Sequence, residues 1–135
     1  MTQSQQLCRT MLDILSQGVD VTTTTKPWGL EYSFMIGDAL CKIIVVEEGE
    51  RTSVQSHVEK EEVTIRLSGS GGVQRFHRWG DGTLQEFGFP QATTWVKPGE
   101  VHRTVGPCVL FEVQTNHPDD VVRYADDYGR AKEDE

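Results

Sequence analysis

Long apolar runs are missing from this chain of 135 residues: no stretch approaches the ~20 residues that a helix needs to cross a bilayer. The amino terminus has neither the basic opening nor the apolar block of a secretory signal, so a cytoplasmic protein is expected. Cysteine is scarce as well. Cys8, Cys41 and Cys108 are an odd count at scattered spacing, which does not read as a disulfide framework. Cys41 and Cys108 lie in apolar, strand-like runs and read as small buried hydrophobes in a reducing setting. No cluster of lysine and arginine occurs, and the net charge is −8. That balance argues against nucleic acid as a partner, because a phosphate backbone demands a cationic face.

What is present is one domain's worth of patterned sequence, long enough to bury a core without covalent staples. Ser4–Gln17 places Leu7, Cys8, Met11, Leu12, Ile14 and Leu15 on one helical stripe, and Gly18 is a natural stop. This amphipathic helix needs a surface to cover, either the outside of the main domain or a second copy. Val19–Thr25 reads as a β-branched connector, so helix and connector take residues 1–22 and a single domain takes 23–135. Short strand-like runs follow: Tyr32–Ile36, Leu40–Glu47, Thr52–His57, Glu62–Leu67, Val73–Trp79, Thr83–Phe87, Thr93–Val96, Arg103–Val105 and Val109–Gln114. Glycine-rich turns separate them, and Gly80-Asp81-Gly82 reads as a hairpin. Many short, regularly spaced strands make an all-β, antiparallel jelly-roll barrel. Ala131–Glu135 reads as a solvated acidic end.

The chemistry concentrates between Gly49 and Gly69. Side chains alternate faces along a strand, so Gln55 and His57 point the same way. After a turn at Val58–Glu61, Glu62 opens the next strand and faces the same interior. With His102 from Pro98-Gly99-Glu100-Val101-His102, these residues offer two imidazole nitrogens, an amide oxygen and a carboxylate, a first shell for one divalent metal. Equal numbers of nitrogen and oxygen donors suit Zn, Mn, Fe, Co or Ni. The same parity aligns Thr64 and Arg66 with Glu62, and Arg51 and Ser53 with Gln55 and His57. Arg51 and Arg66 are therefore candidates for an anionic substrate, since guanidinium forks suit phosphate. Val63, Ile65 and Leu67 form the opposite face, expected to pack on the second sheet, the helix or a partner. His77 and His117 read as surface or packing histidines, and Trp28, Trp79 and Trp95 as core or interface.

The order Gly, five residues, Gln, one residue, His, four residues, Glu, six residues, Gly is similar to the first cupin motif, with Gln55 in place of its usual first histidine. Lys97–His102 resembles the second. Four pieces resemble more narrowly the mannose-6-phosphate isomerase branch, in particular the carboxy-terminal isomerase domain of bifunctional mannose-1-phosphate guanylyltransferases. They are Lys26-Pro27-Trp28-Gly29; Gly49-Glu50-Arg51-x-Ser53-x-Gln55-x-His57; Gly99-x-x-His102-Arg103; and Glu112-Val113-Gln114-Thr115 with Asp119-Asp120-Val121-Val122-Arg123-Tyr124-x-Asp126-Asp127-Tyr128-Gly129-Arg130. The resemblance implies a double-stranded β-helix (cupin jelly-roll barrel) with one amino-terminal α-helix, usually a homodimer. It also implies a metal-dependent aldose–ketose isomerase converting mannose 6-phosphate to fructose 6-phosphate. The residues alone imply only a small oxygen-rich ligand, such as a sugar or sugar phosphate. They leave open a metal- and carbohydrate-binding cupin without catalysis, and a metal-dependent dioxygenase. No general base is assigned; Glu112 and Glu59 are the carboxyls to consider. Lys26 and Arg130 suit a structural role equally well.

Overall fold

The computed structural model describes residues 3–129, without the side chains of residues 3–5, 7 and 8. The expected burial of Leu7 and Cys8, the role of Arg130 and the tail Ala131–Glu135 therefore fall outside the described residues. One helix, α1 (Gln3–Leu15), precedes eleven strands. They are β1 (Thr22–Lys26), β2 (Gly29–Ile36), β3 (Ala39–Val46), β4 (Val54–Ser56), β5 (Glu62–Gly69) and β6 (Gly72–Arg78). Then come β7 (Leu84–Gln91), β8 (Thr93–Val96), β9 (Val101–Val105), β10 (Cys108–Thr115) and β11 (Val122–Ala125). A six-stranded sheet in the order β1-β2-β3-β10-β5-β8 faces a five-stranded sheet in the order β11-β4-β9-β6-β7. No helix among the described residues is long and apolar enough to cross a membrane.

β3 shows how the sequence dictates the layers. It is apolar almost throughout, as a strand covered on both faces must be. Ile44 and Val46 join Trp28, Val73, Val96, Cys108 and Leu110 between the sheets. Cys41, Ile43 and Val45 point outward and pack with Phe34 and Val109. Met11, Leu12 and Leu15 of α1 lie over this outer cluster. Both Cys41 and Cys108 are buried thiols, as the apolar runs led us to expect.

Several expectations need correction. Ile14 is 65% exposed. At roughly 100° per residue it falls on the flank of the face that Met11, Leu12 and Leu15 turn to the sheet. The β-branched connector becomes a strand from Thr22 onward, because β2 supplies a pairing partner in full register. Val122–Ala125 pairs with β4 as an eleventh strand, a long-range contact that local pattern does not reveal. On β5, Leu67 packs into the outer cluster, whereas Val63 and Ile65 stay exposed beside Trp95 and Val113; neither α1 nor the second sheet covers them.

The ends of the barrel differ. β5 and β9 begin, and β10 ends, at the same mouth, so Glu62, His102 and Gln114 gather there. At the opposite end glycine lets backbones meet. A Cβ on Gly71 would lie 1.9 Å from the Val105 carbonyl oxygen, and one on Gly106 2.0 Å from that of Glu47.

Candidate metal centre

Three short segments bring the donors together at the open mouth. Gln55 lies on β4 directly opposite His102 on β9, so both side chains project from one row of the five-stranded sheet. His57 follows the end of β4, and Glu62 opens β5 across the barrel. The potential ligand atoms of His57, Glu62 and His102 all lie within 4.8 Å of one another, and all three residues are buried. Glu62 Oε1 is 2.5 Å from His57 Nε2 and 3.8 Å from His102 Nε2. Metal–ligand bonds of roughly 2.0–2.2 Å at a tetrahedral ion separate neighbouring donors by about 3.3–3.6 Å, and the two distances lie on either side of that edge. Gln55 lines the same cavity as Glu62 and His102; its Oε1 is 3.5 Å from the Ser53 hydroxyl.

The tautomers suit a cation. His57 Nδ1 is 2.6 Å from the Asp120 carbonyl oxygen, and His102 Nδ1 is 3.1 Å from that of Glu100. A carbonyl only accepts, so in each neutral ring Nδ1 carries the proton and Nε2 the lone pair. His57 Nε2 is fully buried and makes no hydrogen bond despite its closeness to Glu62. A lone pair facing a carboxylate inside a protein is repulsive unless a positive charge, a proton on the ring or a metal ion, stands between them. The residues therefore fit a divalent ion. Backbone carbonyls already orient both imidazoles, as protein groups behind a metal site commonly do.

Charge around the centre is sharply divided. Burial pushes the Glu62 carboxyl up, but with no metal ion beside it a hydrogen bond from protonated His57 and the charges of protonated His102 and of Lys60 prevail and hold it at about 2. Burial pushes the His102 imidazole down, favouring the neutral ligand form. Burial, reinforced by the Glu62 charge, pushes Glu112 up to about 8. Glu112 accepts a hydrogen bond from Gln114 Nε2 at 2.7 Å, while the buried Oε1 of Gln114 has no partner.

Behind the donors is a cavity of about 140 Å³, lined among others by Lys26, Glu31, Lys42, Gln55, Lys60, Glu112, Gln114 and Arg123. Neither Arg51 nor Arg66 lines it. Arg51 reaches Asp127 at 2.9 Å. Arg66 Nη1 donates to the Gly71 carbonyl at 2.9 Å. Four residues along a strand carry Arg66 about 13 Å from Glu62, to the glycine end, although both side chains share one face. Glu59 is exposed, whereas Glu112 is buried. His77 stacks edge-on with Trp79 at the hairpin, and His117 sits at the surface near Glu59. Trp28 is core, while Trp79 and Trp95 are half exposed.

Two residues near the ligands escaped sequence reasoning. Lys60, in the Val58–Glu61 turn, is buried with its Nζ 4.0 Å from Glu62. Asp120 holds the ligand-bearing turn from a distant segment; its place in the Asp119–Arg130 motif was its signal in the sequence.

Facing antiparallel sheets with the donors at one mouth make this a double-stranded β-helix, the fold of the cupins. Solved structures agree. CapF in complex with the inhibitor 3-isopropenyl-tropolone superposes with a TM-score of 0.61 at 16% identity, over 78% of this chain and 34% of CapF. An oxalate decarboxylase of Bacillus subtilis with Mn(II) centres gives a TM-score of 0.51 at 16% identity, over 69% of this chain and 28% of its own. Among curated proteins, the xanthan biosynthesis protein XanB of Xanthomonas campestris pv. campestris (strain B100) is 34% identical over 113 residues, 78% of this chain. The chain spans only 23% of XanB. No protein-family model matches the chain.

Proposed function

We propose that this cupin is a metal-dependent sugar-phosphate isomerase of the mannose 6-phosphate to fructose 6-phosphate type, with Gln55, His57, Glu62 and His102 as the ligands of one divalent ion. The observation that carries the reading is the pair of buried imidazoles presenting Nε2 to one carboxylate at the mouth of a polar cavity. The motifs shared with the mannose-6-phosphate isomerase branch and the likeness to XanB support the sugar chemistry. When bound, the ion supplies a Lewis acid for the oxygens of an enediolate; nitrogen and oxygen donors suit Zn, Mn, Fe, Co or Ni.

The chain's own residues do the rest. Glu112 is the carboxyl we assign to moving the proton between adjacent carbons. It lines the cavity, is oriented by Gln114, and has a proton affinity near the neutral range, where a general base works best. The free Gln114 Oε1 is placed to accept a substrate hydroxyl. For the phosphate we favour Lys26 and Arg123, which line the cavity, over Arg51 and Arg66, which do not. We place the protein in the cytoplasm as a homodimer covering the exposed face of Val63, Ile65, Trp95 and Val113.

Elemental analysis of the purified protein, followed by a coupled assay for fructose 6-phosphate from mannose 6-phosphate with and without chelator, tests this. One ion per chain and chelator-sensitive turnover are expected. Metal without turnover of any sugar phosphate overturns the isomerase reading and leaves a metal-binding cupin.

A further inference from the structure

The loop that carries His57 does not hold itself in place. Residues 57–60 are gripped by one amino acid from beyond β10. Asp120 Oδ1 accepts the Val58 N–H at 2.8 Å, and Oδ2 accepts those of Glu59 at 2.7 Å and Lys60 at 2.9 Å. The same residue's carbonyl oxygen takes the Nδ1 proton of His57 at 2.6 Å. Three N–H donors converging on one carboxylate are charge-assisted and geometrically demanding. Its segment is itself fastened to β4: Val122 and Arg123 pair with Ser56 and Gln55, and the Tyr124 and Ser56 hydroxyls are 2.9 Å apart.

From this geometry we infer that Asp120 is the positioning residue of the metal centre, fixing both the turn and the tautomer that leaves His57 Nε2 as a ligand. The inference rests on the metal reading above and adds a cause for the placement of the turn that presents His57. Asp120 itself does not touch the ion. Its two functions are linked within one residue, since the carboxylate anchors the turn and thereby sets its own carbonyl against the ring. Docking of residues 119–125 against β4 and uptake of the ion are then coupled, each favouring the other.

The test uses the full chain, stripped with chelator and titrated calorimetrically with Zn2+ or Mn2+ alone. Asp120→Asn keeps the shape but turns an amide NH2 either toward the Glu59 and Lys60 N–H groups or toward that of Val58, so at least one donor loses its acceptor. It is expected to weaken metal binding about 10- to 100-fold, the usual effect of removing a group that orients a ligand. Asp119→Asn, at the exposed neighbouring position, should leave it unchanged. A structural role alone would lower the melting temperature of the metal-free variant while leaving the dissociation constant as in the parent, and that result overturns the inference. Should the variant fail to fold, the unaltered protein decides by hydrogen exchange. The His57 Nδ1 proton and the amides of Val58, Glu59 and Lys60 should be protected; exchange as fast as at exposed His77 overturns the inference. An unaltered protein that takes up neither Zn2+ nor Mn2+ removes the metal centre and this role with it. Normal uptake by Asp120→Asn removes only the role.

Discussion

The two faces of the six-stranded sheet use the same strands under opposite rules. On the outer face Phe34, Cys41, Ile43, Val45 and Val109 lie beneath α1. Each contributes by area buried, and a volume-conserving exchange costs little. At the mouth, the inner face carries Lys42, Glu62, Glu112 and Gln114, all turned to one cavity. Each of those depends on a specific neighbour: Lys42 on Glu31, Glu112 on Gln114, Glu62 on two histidines and Lys60. Apolar packing tolerates exchange of its parts; a buried polar network does not, because an abandoned partner costs its full desolvation. One strand can therefore serve the stability of the fold on one face and its chemistry on the other.

The largest expected effect lies on the outer face. Ile43 is fully buried, so Ile43→Ala should lower unfolding free energy by about 2–5 kcal/mol, read by denaturant melts, while the chain still binds one ion. His102→Ala inverts the pattern. The added stability from Zn2+, about 4 kcal/mol at a thousand-fold excess over Kd in the parent, should vanish; a Zn2+-induced rise in melting temperature that survives would break the distinction between the faces. Next comes pH, in chelator-treated protein. The Glu112 carboxyl stands at about 8 in the fold against 4.5 ordinarily. The folded state thus holds a proton that the unfolded chain releases between these values. This contribution is fully present below 4.5 and is lost as pH rises through about 8. Glu112→Gln should flatten that decline; an unchanged slope would show that Glu112 is not its source. Glu62, held at about 2, acts oppositely, with its share lost only as pH falls below about 4.5. Smallest is Arg66→Met, which should alter the affinity for a sugar phosphate by less than about 0.5 kcal/mol, as expected for a change away from the site. A selective loss of the phosphorylated ligand would return Arg66 to the binding site.

Much of this was legible in local pattern. Strand parity put Gln55 and His57 on one face, because side chains alternate along an extended segment. The turns at Ser68–Gly72 and Gly80–Gly82 mark themselves by composition. Parity says nothing of distance along a barrel, however, so it does not reveal that Arg66 reaches Gly71 instead of the cavity. The helical stripe was too broad, so Ile14 was counted in. β11, the burial of Lys60 and the grip of Asp120 arise from segments some sixty residues apart in sequence, and no local period records such meetings.

The crowded glycines at the closed end carry a consequence for mutagenesis. The two sheets behave like the arms of a clothes-peg, pinched at Gly106, where the end of β9 meets the end of β3, while Gly71 packs against Val105 within its own sheet. A side chain at Gly106 is a wedge at the fulcrum, since it must displace the carbonyl of Glu47, and one at Gly71 must displace that of Val105. Val105 ends the strand that bears His102, so a small shift there is levered along β9 to the mouth. A random mutational scan scored only for activity would therefore find inactive variants at the end farthest from the donors. They would register as defects of the centre, although their origin is the angle at which the peg closes.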